Sequence, residues 1–361
     1  MLRPLLASLT LLLTQADPTI PLGQPVRLDH PFTSITGARP LSDGRILLTD
    51  RRERQFLIVD HRLQNVTNIG REGRGPGEFL APADLLALPG DSTAMVDPGL
   101  MRLTTYDGVR LPAATRSMFE RGLTLFWPTG ADDASWYYHD PDVNRVVNGA
   151  VHVMRSARRG GAASLVASLS VPPQLQPGRA REGWGAAKTG YFVRDAYAVA
   201  ADGWVGIVRW SPYHIEWVAP DGRRVSGPPR RVPQIPVTEA DKVAWADAQA
   251  RMVGMLTDDR GGRGRVPVAR PDISRVEFPA TFPPFHEDGV IAAASGELWV
   301  RRFIPDRLGR SEYDVFGRDG RLRGVVRLNG RHRVLAVTTQ FVWLAARDSD
   351  DTEWLERRPL P

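Results

Sequence analysis

The chain of 361 residues contains no cysteine. Disulfide staples, thiolate metal sites and cysteine nucleophiles are thereby excluded together. Lysine is almost missing too, since Lys188 and Lys242 stand alone among 47 basic residues. The net charge of +6 and a pI of about 10.0 are therefore the work of arginine. Those arginines are scattered through turns among 41 acids. A mixed-sign surface of this kind gives no concentrated electrostatic footprint, so nucleic acid is not an expected partner. Catalytic signatures are missing as well: there is no G-x-S-x-G turn, no H-E-x-x-H and no phosphate-binding loop. The seven histidines, His30, His61, His139, His152, His214, His286 and His332, are spread singly, without the close spacing of a zinc site.

Long apolar runs are absent except at the start. Met1-Leu2-Arg3-Pro4 supplies one positive charge, and Leu5 to Leu13 forms an apolar run too short to span a bilayer. Thr14-Gln15-Ala16 places small residues where a signal peptidase reads. This predicts a signal peptide over 1–16 and a mature chain, 17–361, that is periplasmic or secreted and has no transmembrane segment. Without a cysteine at the cleavage site, a lipid anchor is not expected.

What the chain has is punctuation. Gly70 to Pro82 reads G-R-E-G-R-G-P-G-E-F-L-A-P. Four glycines and Pro76 within eight positions disfavour helix and regular ladder alike, so the stretch reads as a crossing loop. Short strands follow it at Ala83–Leu88, Thr93–Asp97 and Arg102–Asp107, with Pro89-Gly90-Asp91 as a turn between the first two. The three glycines of Gly73-x-Gly75-x-Gly77 do not make a dinucleotide fingerprint, because they lead into Pro82 and a strand where that motif needs a helix.

The unit recurs. It appears at Asp43 to Asp60 and again at Asp91 to Gly108, and more loosely at Thr124–Trp127 with Ala134–His139, Val151–Arg155 and Leu165–Val171. A fourth runs over Ala196–Val199, Asp202–Arg209 and Ile215–Gly222. A fifth takes Gly296–Arg301, Tyr313–Phe316 and Leu322–Leu328, and a sixth Val334–Val337, Phe341–Ala345 and Trp354–Glu356. The Gly-rich loop, its proline, the strand ending in Val96-Asp97 and the strand reaching Tyr106-Asp107-Gly108 together resemble NHL-type repeats. More closely, the chain resembles bacterial extracytoplasmic six-bladed β-propellers. That resemblance implies a single all-β domain of four-stranded antiparallel blades over 17–361 and is almost silent on activity.

The sixth unit lacks an outer strand, and Val26–His30 has nothing local to pair with. The N-terminal segment is therefore expected to close the ring on the last blade, covering an edge that would otherwise aggregate. Two stretches break the rhythm. Pro172 to Gly190 reads as a loop. At about 238–256 an inserted helix is expected, because Thr238 and Asp241 have capping-box spacing and Trp245, Ala248, Met252 and Met255 fall on one face. Phe278 to Phe285 reads as an extended aromatic-proline connector into the fifth blade.

In a propeller the bend between second and third strands shares a face with the connection to the next blade. That face should carry Arg71, Arg74 and Glu78 from the Gly-rich loop, together with Asp50 and Asp97 at equivalent strand ends and His139 at another. Asp at such ends favours bonding the amides of its own turn. Tyr138 and Trp210, near bends, have the composition of stacking anchors. These eight form the candidate ligand-binding set, for an unknown small ligand or protein, on a chain expected to be a monomer. The alternative expectation is a calcium-dependent lactonase- or esterase-like hydrolase with Ca²⁺ in the central channel, for which the inner strands offer Asp84, Asp195 and Glu287.

Overall fold

The computed structural model describes residues 17–108, 112–120, 124–139, 146, 148–176, 189–258 and 270–361. The expected leader over 1–16 lies outside the described residues. Six four-stranded antiparallel sheets are arranged as blades of a ring. From inner to outer strand, blade 1 is Ile35–Pro40, Ile46–Asp50, Gln55–Val59 and Val66–Asn68; blade 2 is Leu85–Ala87, Thr93–Asp97, Arg102–Tyr106 and Pro112–Ser117. Blade 3 is Pro128–Ala131, Ser135–His139, Ala150–Ala157 and Ser164–Ser170; blade 4 is Ala196–Val199, Val205–Trp210, Tyr213–Val218 and Arg224–Ser226. Blade 5 is Phe285–Ala292, Leu298–Arg302, Arg310–Phe316 and Leu322–Asn329; blade 6 is Arg331–Val337, Phe341–Arg347 and Glu353–Pro359, with Val26–Phe32 as its outer strand.

The closure matches the expectation. Val26 faces Arg357 and Phe32 faces Glu353 across an antiparallel pair. Upstream of it, Ile20 N–H donates to Val325 O at 3.0 Å and Gly23 N–H to Pro359 O at 2.9 Å, so the N-terminal segment straps blades 5 and 6 together. Glu353 adds a polar latch, accepting from the Ile35 amide of blade 1 at 2.8 Å.

Second strands such as Ile46–Asp50 and Thr93–Asp97 are buried residue after residue, and because successive side chains point to opposite faces each blade is covered on both. Apolar side chains fill six wedges, one between each pair of neighbours. Leu28, Phe32, Ile46, Leu57, Trp343 and Leu355 seal blade 6 to blade 1. Phe56, Phe79, Met95 and Tyr106 join blades 1 and 2; Val96, Leu103, Phe126, Trp136 and Tyr138 join blades 2 and 3. Tyr137, Leu169, Val205 and Ile207 lie between blades 3 and 4, Trp217, Phe285, Leu298 and Phe316 between blades 4 and 5, and Trp299, Tyr313, Val326 and Leu344 between blades 5 and 6.

Three elements differ from expectation. The inner strand of blade 3 is Pro128–Ala131, whereas Thr124–Leu125 pairs with Phe119–Glu120 in a separate hairpin. Blade 5 begins inside the expected connector, at Phe285. The Gly-rich loop holds a two-residue parallel ladder, Arg71 with Glu78 and Glu72 with Phe79. The helix, α1, runs Glu239–Asp258 and has the expected cap: Asp241 N–H donates to Thr238 Oγ1 at 3.3 Å, and Thr238 N–H to Asp241 Oδ2 at 2.9 Å.

Candidate functional site

The long inter-blade connections, over 69–84, 118–127, 171–195 and 227–284, each leave an outer strand and enter the next inner one, so their ends lie on one face. The second-to-third bends open on the same side. Several sequence-predicted residues sit there, in quite different environments.

Asp50 and Asp97 are fully buried and engaged by backbone amides. Asp50 accepts from Thr33, Ser34, Arg52 and Glu53 N–H groups at 2.8, 3.0, 3.0 and 3.1 Å. Asp97 accepts from Leu80, Ala81 and Leu100 N–H groups at 2.9, 3.1 and 3.1 Å. Each carboxylate thus ties its strand end to the preceding connection.

Glu78 folds back into its own loop, taking Gly75 N–H at 2.7 Å and Arg71 Nε at 2.8 Å. The Gly75 amide and then Arg71 hold its carboxyl below the usual range. Gly73, at φ 155°, leaves room for that carboxylate, since a Cβ there would lie 2.1 Å from Glu78 Oε2. The loop's concavity is filled by its own acid. Arg71 keeps 83% of its side chain exposed, and Arg74 is exposed with no side-chain partner among the described residues.

Tyr138 is 8% exposed, edge-on to Phe126 in the wedge between blades 2 and 3. His139 stands edge-on to Tyr197, ring centroids 5.3 Å apart. Burial, aided by the Arg194 charge, pushes His139 down to about 4, so the imidazole is neutral at pH 7. Burial pushes Tyr197 up to about 12, and its hydroxyl pairs with Thr129 Oγ1.

The three candidate calcium ligands come from three blades and do not converge. Asp195 is 1% exposed and accepts from Ser170 N–H, Arg209 Nη1 and Trp210 N–H at 2.7, 2.7 and 2.9 Å, which occupies both oxygens. Glu287 is paired to Arg194 Nε at 2.5 Å. Asp84 is exposed at the head of the inner strand of blade 2, where crowding by surrounding atoms holds its carboxyl above the usual range against the pull of Arg51. Among the described residues no three His, Asp or Glu side chains are placed to share a cation. A hard cation wants six or more oxygens, and this donor set does not fit one.

Blade 5 carries a feature that sequence reading missed. Its inner strand pairs Phe285 with Arg302 and then Val290 with Val300, so His286, Glu287, Asp288 and Gly289 together face only Arg301. The corresponding irregularities in blades 1, 3 and 6 add a single residue each, Thr36, Thr129 and Leu335. Bulges re-aim side chains and favour functional positions. Gly289 is required there, because a Cβ would meet Arg301 Cβ at 2.4 Å. The His286 ring stacks on Phe303 at 4.0 Å, and Phe303 stacks on Phe282 at 4.8 Å. Burial, then Arg301, holds His286 well below its ordinary value.

That stack leads into a cleft of about 660 Å³ between the top of blade 4 and the segment before blade 5. Its walls include Trp210, Phe282 and the rigid rings of Pro233, Pro279, Pro283 and Pro284. Tyr191 closes one side at φ 62°, a left-handed conformation uncommon outside glycine, and its hydroxyl donates to Asp241 O at 2.7 Å at the start of α1. Among the described residues no carboxylate lines the cleft, whereas two arginines do. Arg230 is committed: it holds Asp17 through two bonds of 3.0 and 2.9 Å and Asp314 through two of 2.9 and 3.0 Å. Tyr213 Oη also donates to Asp314 at 3.0 Å. Arg231 is exposed, and neither its guanidinium nor the Gln234 amide nor the Trp210 indole N–H has a partner among the described residues. Of the predicted site residues, the structure brings only Trp210 into this cleft.

No protein-family model matches the chain, and no curated protein matches it. Among solved structures it is similar to a DUF4221-family protein of Bacteroides vulgatus, at 8% identity over 95% of this chain and 98% of that one, with a TM-score of 0.52. A protein of Bacteroides fragilis named as exported is similar at 10% identity over 96% of both chains, TM-score 0.51. A gluconolactonase from Xanthomonas campestris has 13% identity over 96% of this chain and 95% of that one, TM-score 0.49. At such identities the likeness concerns the path of the chain. The class that the blades define is the six-bladed β-propeller.

Proposed function

We propose that the protein is an exported ligand-binding or sensing propeller whose binding site is the cleft between blades 4 and 5. The observation that carries this reading is the cleft itself: about 660 Å³, walled by aromatic and proline rings, with unpartnered polar groups at Arg231, Gln234 and Trp210. Binding pockets of small molecules have this size and this mixture of apolar wall and few polar groups. The strained Tyr191 at its edge has the character of a residue held for function.

Export rests on the leader over 1–16. The described chain is tied down from Asp17 onward, where Arg230 catches its carboxylate. No helix among the described residues is long and apolar enough to cross a membrane. Expression of the full chain in a bacterial host, followed by N-terminal sequencing of the processed product, should return Asp17 as the first residue. A product starting at Met1 and retained in the cytoplasm would end the export reading.

The binding reading is tested by a small-molecule screen read through Trp210 fluorescence and thermal shift, with Trp210→Ala as the control that abolishes genuine hits. Turnover of a simple lactone or ester that disappears with EDTA would instead carry the calcium-dependent hydrolase reading.

A further inference from the structure

We infer that the cleft takes a ligand joining a flat aromatic ring to a carboxylate, with the ring against Trp210 and the proline wall and the carboxylate on Arg231. This rests on the cleft being the binding site and specifies what it selects. The charge argument comes first. The described residues lining the cleft include no acid, and Arg230 is already neutralised by Asp17 and Asp314. Arg231 is left as a guanidinium facing solvent with neither hydrogen bond nor ion pair among the described residues. A guanidinium presents a planar fork that matches a carboxylate with two parallel bonds. The neighbouring Gln234 amide and Trp210 indole N–H are further free donors.

A single unpaired cation also sets the charge. A dianion such as phosphate monoester would call for a second free positive group, and the one nearby, Arg230, has both edges of its guanidinium committed to carboxylates. A cationic ligand would meet Arg231 without compensation.

The shape argument is independent of charge. Pro233, Pro279, Pro283 and Pro284 are rigid and lose little entropy on binding, and Trp210 offers a broad indole face. Flat, preformed walls select flat ligands. Tyr191 contributes its ring and no hydroxyl, because that hydroxyl is spent on the Asp241 carbonyl.

The test uses the mature chain, 17–361, with 2-naphthylacetate, its neutral isostere 2-naphthylacetamide and plain acetate, titrated by calorimetry. The acid should bind at least about tenfold tighter than the amide, and acetate should not bind measurably. Arg231→Gln should weaken the acid by about tenfold while leaving the amide unchanged, and its thermal melt should match the parent because Arg231 supports no other residue. Equal binding of acid and amide, both lost in Trp210→Ala, would overturn the carboxylate assignment and leave the cleft as the site. Absence of saturable binding by either naphthyl probe would overturn the assignment together with the cleft reading. Tight acetate binding that survives Trp210→Ala would overturn the aromatic requirement.

Discussion

In four of the six blades the second strand ends in one of two polar devices. In blades 1 and 2 the last residue is an aspartate, Asp50 or Asp97, which gathers three or four backbone amides. In blades 5 and 6 it is an arginine, Arg302 or Arg347, which pairs with Glu312 or Glu353 on the adjacent third strand. Both devices satisfy groups that would otherwise be buried without partners, and both belong to the scaffold. Asp97→Ala should therefore lower stability by about 2–3 kcal/mol in urea unfolding, since three amides lose their acceptor. Arg74→Ala, on an exposed side chain without partners, should stay within about 0.5 kcal/mol of the parent. The repeat made Asp50 and Asp97 legible, because equivalent positions in successive units share a residue type. The freedom of Arg231 was not legible: its neighbour Arg230 is matched by Asp17, 213 residues away, and no local pattern reports which arginine has been claimed.

Residue chemistry also sets a pH dependence. His139, pushed down to about 4 by burial and Arg194, and His286, held well below its ordinary value by burial and Arg301, stay neutral in the folded state where the unfolded chain would protonate them. Below about pH 6.5 the unfolded state thus binds more protons than the native one, so stability should fall as pH drops from 6.5 towards 4. Thermal melts across that window should show the decline, and a His139→Gln, His286→Gln double variant should show a shallower one.

At the scale of elements, the second and third strands were readable in every blade, whereas the inner strands were readable in blades 2, 4 and 6 but not in blades 1, 3 and 5. Inner strands crowd around the axis, where small or irregular residues are favoured over the β-branched ones that announce a strand. Gly130 is one case, as a Cβ there would sit 2.6 Å from Val199 of blade 4. Pro128–Ala131 was consequently hidden behind the more strand-like Thr124–Trp127, whose Phe126 packs into the wedge from outside the ladder. The four-residue bulge His286–Gly289 was hidden for the same reason, as nothing in H-E-D-G reads as strand. Val26–His30 was legible because the sixth unit was short of a partner, and the strand runs on through Pro31 to Phe32 because an outermost strand tolerates proline. A chain beginning at Thr33 would expose the edge of Glu353–Pro359 and the apolar surface beneath Leu28 and Phe32. Such a truncation should elute as aggregate in size-exclusion chromatography where the mature chain, 17–361, elutes as a single species.

For the whole molecule, six similar wedges distribute the apolar surface evenly, and none of them dominates. Fold and blade number followed from six recurring units together with the resemblance to six-bladed β-propellers. The cleft did not, because it is built from segments 189–195, 227–237 and 278–284 of two inter-blade connections and from the Trp210–Ser211 bend, which obey no repeat and meet only once the ring has formed. A propeller can vary these segments freely while its blades hold, which is why the fold leaves activity open.

Blade 6 is assembled from both extremities of the chain, its outer strand from Val26–Phe32 and its third from the seven residues Glu353–Pro359. During synthesis, then, the earliest-made strand must wait for nearly the last before either finds its place. The circle cannot shut until Glu353–Pro359 has been made, and the cooperative native state is deferred until then. A polypeptide organised this way stays threadable until that strand has emerged.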